Sequence, residues 1–271
     1  MRVPTKVFWS LFFVAIFVLA GTANRPVNAA NWSNTIALAA LDGSLYSIEK
    51  GGALYRTDLS SGSWVQIGKA EFGNTKMMVA GPQNLFTLEA DGSLYRVDPS
   101  NGSWVRVGKA GEWKNSIAAA FSGTRLFTIE SSGALYGTNP MSGAWAQVGK
   151  AEFVRTKFLF GSNDSLITIE QDGSLYAINA GNGAWRQIGK SGDWINTLRG
   201  TLLANKLYTV ESNGALFETD VNSGTWRQIG KSEFGRTKWF FNTGGSLYSI
   251  EHDGKLYRIS PSNGSWVQIG K

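Results

Sequence analysis

The sequence predicts an all-β fold, a six-bladed β-propeller with four antiparallel strands in each blade, and three observations predict it. The phrase SWVQIGK occurs at 63–69 and again at 265–271, with SWVRVGK, AWAQVGK, AWRQIGK and TWRQIGK in between. Registered on the aromatic residue that follows each Gly-Lys pair, the chain divides into six units beginning at Trp32, Phe72, Trp113, Phe153, Trp194 and Phe234. Each unit holds four short apolar runs separated by turn signals, which is the sequence mark of a propeller blade.

The elements follow in chain order. Arg2 and Lys6 precede VFWSLFFVAIFVLAG, an apolar run of 15 residues and so short of the roughly 20 that a membrane helix needs. With Val27 and Ala29 ahead of Ala30, residues 1–29 read as a cleaved signal peptide. Cleavage removes Arg2, Lys6 and Arg25 and no acid, so the net charge falls from +6 to +3. It leaves 30–271 as one propeller domain, secreted or periplasmic, with no membrane span. The small, scattered positive excess lacks the clustered basic face that nucleic acid requires. There is no cysteine, so packing and hydrogen bonds must hold the fold.

Within a unit, the fourth for instance, the runs RTKFLFGS, SLITIE, SLYAIN and AWRQIGK are bounded by NDS, QDG and AGNG, as expected of strands joined by hairpins. No run keeps a helical apolar period. A lone blade leaves both faces wet, so neighbours must stack and the ring must close. Unit spacings alternate 40 and 41 and the leading aromatic alternates Trp and Phe. The true period is therefore a pair of units, which requires an even number of blades. Two closures remain open: every blade built from one unit, or one sheet shared between the chain ends near Ala30 and Lys271.

Comparing the six copies isolates the positions the unit needs. A Glu ends each second strand (Glu49, Glu89, Glu130, Glu170, Glu211, Glu251) and a Lys each fourth (Lys69, Lys109, Lys150, Lys190, Lys231, Lys271). Their fixed register suggests paired charges. Trp64, Trp104, Trp145, Trp185, Trp226 and Trp266 open the fourth strands and are expected to fill the wedge between blades. The loop before each first strand mixes polar and aromatic groups: NWSNT, EFGNT, EWKNS, EFVRT, DWINT and EFGRT. An aromatic plate beside planar hydrogen-bonding groups suits a pyranose, which offers a CH face and directional hydroxyls. The same pattern also suits a loop whose polar groups satisfy its own backbone. Residue chemistry leaves both open.

His252 is the only histidine and occupies a variable turn position, and with no cysteine and no histidine cluster the pattern argues against metal-ligand and Ser/His/Asp constellations. No cofactor is expected. The SSGSW and NSGTW turns differ from the Asp-box of sialidases, which has one more residue between Gly and Trp. Carboxylate pairs recur in every unit, so a glycan hydrolase remains a rival.

From Trp32 to Lys271 the chain resembles the β-propeller lectins of the tachylectin and tectonin type. The likeness is carried by the order of KFLFGSNDSLITIEQDGSLYAINAGNGAWRQIGK (157–190) and its five counterparts. It implies a multivalent lectin with pockets for N-acetylhexosamine or related sugars between adjacent blades, near the loop into the inner strand. Carried onto this chain, the implied ligand-binding residues are Trp32, Asn34, Phe72, Asn74, Glu112, Trp113, Asn115, Phe153, Arg155, Asp193, Trp194, Asn196, Phe234 and Arg236. Trp32, Trp113 and Trp194 are the expected stacking platforms, giving two classes of site, three of each. The chain departs from that family in a shorter unit, six copies rather than five, and Glu-Trp or Glu-Phe in place of Gly-Gly-Trp. Expected partners are thus carbohydrates or glycoconjugates, without catalysis. The first rival is a propeller scaffold for protein partners.

Overall fold

The computed structural model describes residues 31–269; the signal-peptide reading, Ala30 and Lys271 lie outside them. Among the described residues there are twenty-four strands, numbered here in chain order, in six four-stranded antiparallel sheets. Blade 1 is β1 (Thr35–Leu41), β2 (Ser44–Glu49), β3 (Leu54–Asp58) and β4 (Trp64–Ile67). Every later blade repeats that order from one unit, so the innermost strand comes first and no blade is shared between the chain ends. Among the described residues no helix is long and apolar enough to cross a membrane.

Hairpin chemistry sets the blade. In the two-residue turn between β1 and β2, Asp42 and Gly43 both have positive φ, 48° and 76°, matching the twist of antiparallel strands. Second strands, such as β2, are buried along almost their full length because both faces are covered by neighbouring blades. Outer strands are largely exposed.

Two repeated contacts close the ring. The leading aromatic of each unit donates its backbone N–H to the glycine carbonyl in the turn after the second strand of the preceding blade. Phe72 to Gly52 at 3.0 Å, Phe153 to Gly133 at 3.0 Å and Trp32 to Gly254 at 3.3 Å are examples. The third of these joins blade 1 to blade 6. Gly133 has φ +85°, and a Cβ there would lie 2.6 Å from the Val154 nitrogen, so only glycine permits the approach.

The second contact explains the paired period. The inner strands are β1, β5 (Thr75–Ala80), β9 (Ser116–Ser122), β13 (Thr156–Gly161), β17 (Thr197–Leu203) and β21 (Thr237–Thr243). They pack extensively at β1/β5, β9/β13 and β17/β21, and more loosely at β5/β9, β13/β17 and β21/β1. A lysine spans each looser seam. Lys76 Nζ donates to the Ser116 carbonyl at 2.6 Å, Lys157 to Thr197 at 2.6 Å and Lys238 to Ser33 at 2.7 Å.

Candidate functional site

The loop before each inner strand leads with a ring that the core takes. Trp32, Phe72, Trp113, Phe153, Trp194 and Phe234 are all between 2% and 4% exposed. Each turns into a seam between blades, Trp32 for instance among Leu45, Ile250 and Leu256. The expected stacking platforms at Trp32, Trp113 and Trp194 are thus almost wholly buried, the large ring filling the radial wedge, and Trp113 and Trp194 border the rim cavities only at their floor. Of the rings opening the fourth strands, expected in that wedge, Trp64 packs beside Trp32 and the other five lie outside it. Trp104, Trp145, Trp185, Trp226 and Trp266 are 43% to 50% exposed, because the outermost strand of a blade has no further strand to cover it.

Around four of the five exposed indoles the same groups converge. Cavities of about 510, 210 and 150 Å³ lie at blades 2, 3 and 4, and one of about 40 Å³ at blade 5. In blade 3 the cavity is bounded by Glu112 and Asn115 of the loop, Glu130 of the second strand, Tyr136 of the third and Trp145 of the fourth. Trp113 lies at its floor. Asn74, Asn115 and Arg155 also border cavities, and Asn34, Asn196 and Arg236 are equally exposed. The Asn side chains make no hydrogen bond among the described residues, while their backbone carbonyls accept from the turn after the second strand, Asn115 from Ser131 at 2.9 Å. Arg155 stands 4.0 Å from Asp172.

In four blades the acid that precedes the leading aromatic accepts a hydrogen bond from the exposed indole. Trp104 Nε1 donates to Glu71 at 3.0 Å, Trp185 to Glu152 at 2.9 Å, Trp226 to Asp193 at 3.4 Å and Trp266 to Glu233 at 2.9 Å. Glu112 instead accepts from the backbone of Lys109 at 2.8 Å. Each exposed indole meets the ring of its third-strand neighbour at 73° to 88°. Blade 1 differs, with Asn31 at the acid's position. There Trp64 lies nearly flat on Tyr55, at 23°, and leans to within 5.7 Å of Trp32. The carboxylate thus accompanies the edge-on, outward-facing indole.

The glutamates ending the second strands are not paired with the lysines ending the fourth, contrary to expectation; none of the ion pairs among the described residues joins them. Each accepts instead from the hydroxyl that opens its own inner strand, from Thr35 to Glu49 at 2.7 Å to Thr237 to Glu251 at 3.0 Å. Burial pushes Glu49, Glu89, Glu170, Glu211 and Glu251 above the usual carboxylate range, against these hydroxyls.

Two further features break the sixfold repeat. Opposite the fourth-strand Trp, blades 1, 3 and 5 place Thr57, Thr138 and Thr219, and blades 2, 4 and 6 place Val97, Ile178 and Ile259. The three Thr hydroxyls are fully buried without a protein partner. Blade 5 alone carries a charged cluster, in which Glu218 accepts from Lys206 at 2.5 Å, Tyr208 at 3.1 Å and Arg227 at 3.3 Å. Burial and Glu218 push the Tyr208 phenol up to about 12. Among the described residues no three His, Asp or Glu side chains gather as metal ligands.

Comparison with known proteins bears on the scaffold. No known protein family and no curated protein matches the chain. Solved structures do. PorZ, an essential bacterial surface component of the type-IX secretion system of Porphyromonas gingivalis, superposes with a TM-score of 0.59 at 13% identity, over 90% of this chain and 33% of its own. YCF48 bound to D1 peptide matches with a TM-score of 0.55 at 15% identity, over 83% of this chain and 77% of its own.

What these proteins share with this chain is the fold.

The computationally designed Ika8 protein matches likewise, with a TM-score of 0.54 at 14% identity, over 82% of this chain and 69% of its own. The chain spans a third of the length of PorZ. None of these likenesses points to the tachylectin and tectonin lectins, whose resemblance rests on the repeated motifs alone.

Proposed function

We propose that the protein is an exported, multivalent carbohydrate-binding propeller that acts without turnover. The observation that carries this reading is the exposed indole repeated around the rim, set edge-on to a second ring and, in four of five blades, hydrogen-bonded to a carboxylate. A pyranose stacks its CH face on such a plate, while the free Asn amide beside it donates to and accepts from ring hydroxyls or an N-acetyl group. The stacking face is supplied by Trp104, Trp145, Trp185, Trp226 and Trp266, and the loop residues Asn74, Asn115 and Arg155 form the polar wall. Several weak pockets repeated around the rim suit a surface covered with repeated sugars, where simultaneous engagement raises avidity by roughly a hundredfold or more.

Calorimetry against N-acetylhexosamines and their polymers tests it, on the wild type and on a variant with Trp145, Trp185 and Trp226 changed to Ala. Saturable heat in the wild type, lost in a variant that still folds, is expected. Silence of the wild type across a glycan array removes the reading. A second reading, a docking surface for peptides, is favoured by the fold shared with YCF48, which is described bound to D1 peptide. It expects silence on the array and loss of partner binding from substitutions in one sector only. The hydrolase alternative expects turnover of a sugar panel that ends when a single carboxylate is replaced.

A further inference from the structure

The six inner strands enclose a central cavity of about 560 Å³. Its wall is mainly apolar, with Lys76, Lys157, Arg199, Thr201 and Asn242 among the lining residues. Leu38, Met77, Ile117, Phe158, Leu202 and Trp239, one from each inner strand, border it without being buried, and Ile117 is 37% exposed. Leu38, Met77, Phe158, Leu202 and Trp239 pack on one flank against the blade seams, and the rest of each side chain faces the cavity. An inner strand of seven residues, such as β1, spans about 20 Å. A cavity spread over that length is elongated, and suits an extended chain better than a compact group.

Charge marks one mouth of this tube. Lys76 and Lys157 are the second residues of β5 and β13, Arg199 is the third of β17, and all three line the cavity. Lys238 holds the equivalent place at the start of β21. Because every inner strand starts at the same face of the disc, these cations gather at one end. No Asp or Glu lines the cavity. Glu49 and Glu211 lie within electrostatic reach of Lys238 and Lys157, but each is engaged by a Thr hydroxyl in the seam.

The ammonium groups are fixed yet incompletely used. Lys76 donates one described hydrogen bond and Lys157 two, to backbone carbonyls of the next blade, and an ammonium has three N–H donors. Arg199 donates Nε to the Lys238 carbonyl at 2.7 Å and Nη1 to the Leu198 carbonyl at 2.6 Å, leaving Nη2. Burial lowers the affinity of Lys157, Lys238 and Arg199 for their protons, as an approaching anion would reverse. The opposite end is neutral, with Asn242 tied to Thr201 and the Leu202 carbonyl.

We propose that the central channel binds a single-chain alkyl carboxylate, the chain lying along the apolar wall and the carboxylate at the mouth formed by Lys76, Lys157 and Arg199. The size and lining fall within the range of small-ligand sites, mostly apolar with a few convergent polar groups. This site is separate from the rim pockets and independent of the sugar reading.

Dodecanoate, titrated into the full-length mature chain below its micelle concentration and followed by calorimetry, tests the assignment. One molecule bound per chain is expected, with dodecyltrimethylammonium at least tenfold weaker because it brings the wrong charge to the mouth. Lys157→Met is expected to weaken dodecanoate at least tenfold. Since Lys157 also bridges a seam, a second variant guards against loss of folding: Ala119→Phe fills the tube from β9 and is expected to abolish binding while the melting temperature holds. No heat with dodecanoate, equal binding of the cationic analogue, or unchanged binding by a folded Ala119→Phe protein overturns the proposal.

Discussion

Replacing one buried and one exposed tryptophan with alanine separates the two ring sets. Trp113 is 2% exposed and closes a seam with Phe86, Leu88 and Leu126. Truncating a ring so buried costs about 3–5 kcal/mol, from lost transfer energy and the cavity left behind. For a domain of this size each kcal/mol lowers the melting temperature by about 2–4 °C, so Trp113→Ala should melt about 6–20 °C below wild type. Trp185 is 46% exposed, and its packing is mainly one edge-on contact with Tyr176 at 5.0 Å. Such a pair contributes about 0.5–1.5 kcal/mol. Its hydrogen bond to Glu152 is solvated and adds little, so Trp185→Ala should melt within about 6 °C of wild type. Thermal unfolding followed by far-ultraviolet circular dichroism reads both. Sugar binding, where present, should drop at the Trp185 pocket and persist per folded molecule in the Trp113 variant. A Trp113→Ala protein that melts like wild type while Trp185→Ala collapses would refute the assignment of rings to core and rim.

Three further outcomes follow from the same geometry. Gly133→Ala forces a Cβ to 2.6 Å from the Val154 nitrogen at a φ of +85° and should destabilise by more than the ~1 kcal/mol that an unstrained Gly-to-Ala change adds to stability, read by denaturant unfolding; a neutral result contradicts the latch. Thr138→Val replaces a fully buried hydroxyl that lacks a protein partner with the kind of side chain the even blades use, and should be neutral or stabilise by up to about 1 kcal/mol; a loss above that figure would mean the hydroxyl is bonded. Stability should also peak in mildly acid solution. Glutamates raised by burial contribute stability that is complete below their unfolded value near 4.5 and is lost as pH rises through their folded values. Asp58, Asp98, Asp172, Asp220 and Asp253 are lowered by hydrogen bonds from residues two or three positions on, and their contribution is lost as pH falls below 3.8. A melting temperature that climbs steadily from pH 5 to pH 8 would contradict this.

Strand order was legible because each blade is a local structure. Turn residues and period-two runs state their own hairpins, and β13 at Thr156–Gly161 falls where RTKFLFGS places it. Even blade number was readable from the Trp/Phe alternation. What the sequence concealed was which of two recurring rings meets water. Both rings stand in fixed register beside glycine turns, and a local pattern carries no information about the radius at which a strand sits. Trp145 is exposed because its strand is fourth from the axis, and Trp113 is buried because its loop crosses the seam; both are facts of the closed ring. A usable signal did exist. The residue after the fourth-strand Trp varies between Val, Ala and Arg, as an exposed edge permits, whereas the residues that follow the second-strand leucine stay uniformly apolar or small.

The alternation between odd and even units now has one physical account. An odd unit brings a Trp in its loop and a Thr beneath its fourth-strand ring; an even unit brings a Phe and a Val or Ile, together with the seam-crossing lysine. Each odd blade's loop ring and Thr face the preceding even blade across a looser seam, as Trp32 faces Ile250 and Leu256. The larger ring fills the wider wedge, and the lysine of the even blade ties it by a charge-assisted bond to a backbone carbonyl, which is stronger than a neutral one. Tight seams need neither. Exchanging only one member of such a set leaves either a void or an overfilled wedge, so Trp113→Phe should cost more in stability than its small change in volume implies, and Phe121→Ala, on the channel side, should not restore it. The odd and even seams are thus a consequence of how the disc closes, and on the proposed reading any odd–even difference in sugar preference would be inherited from packing.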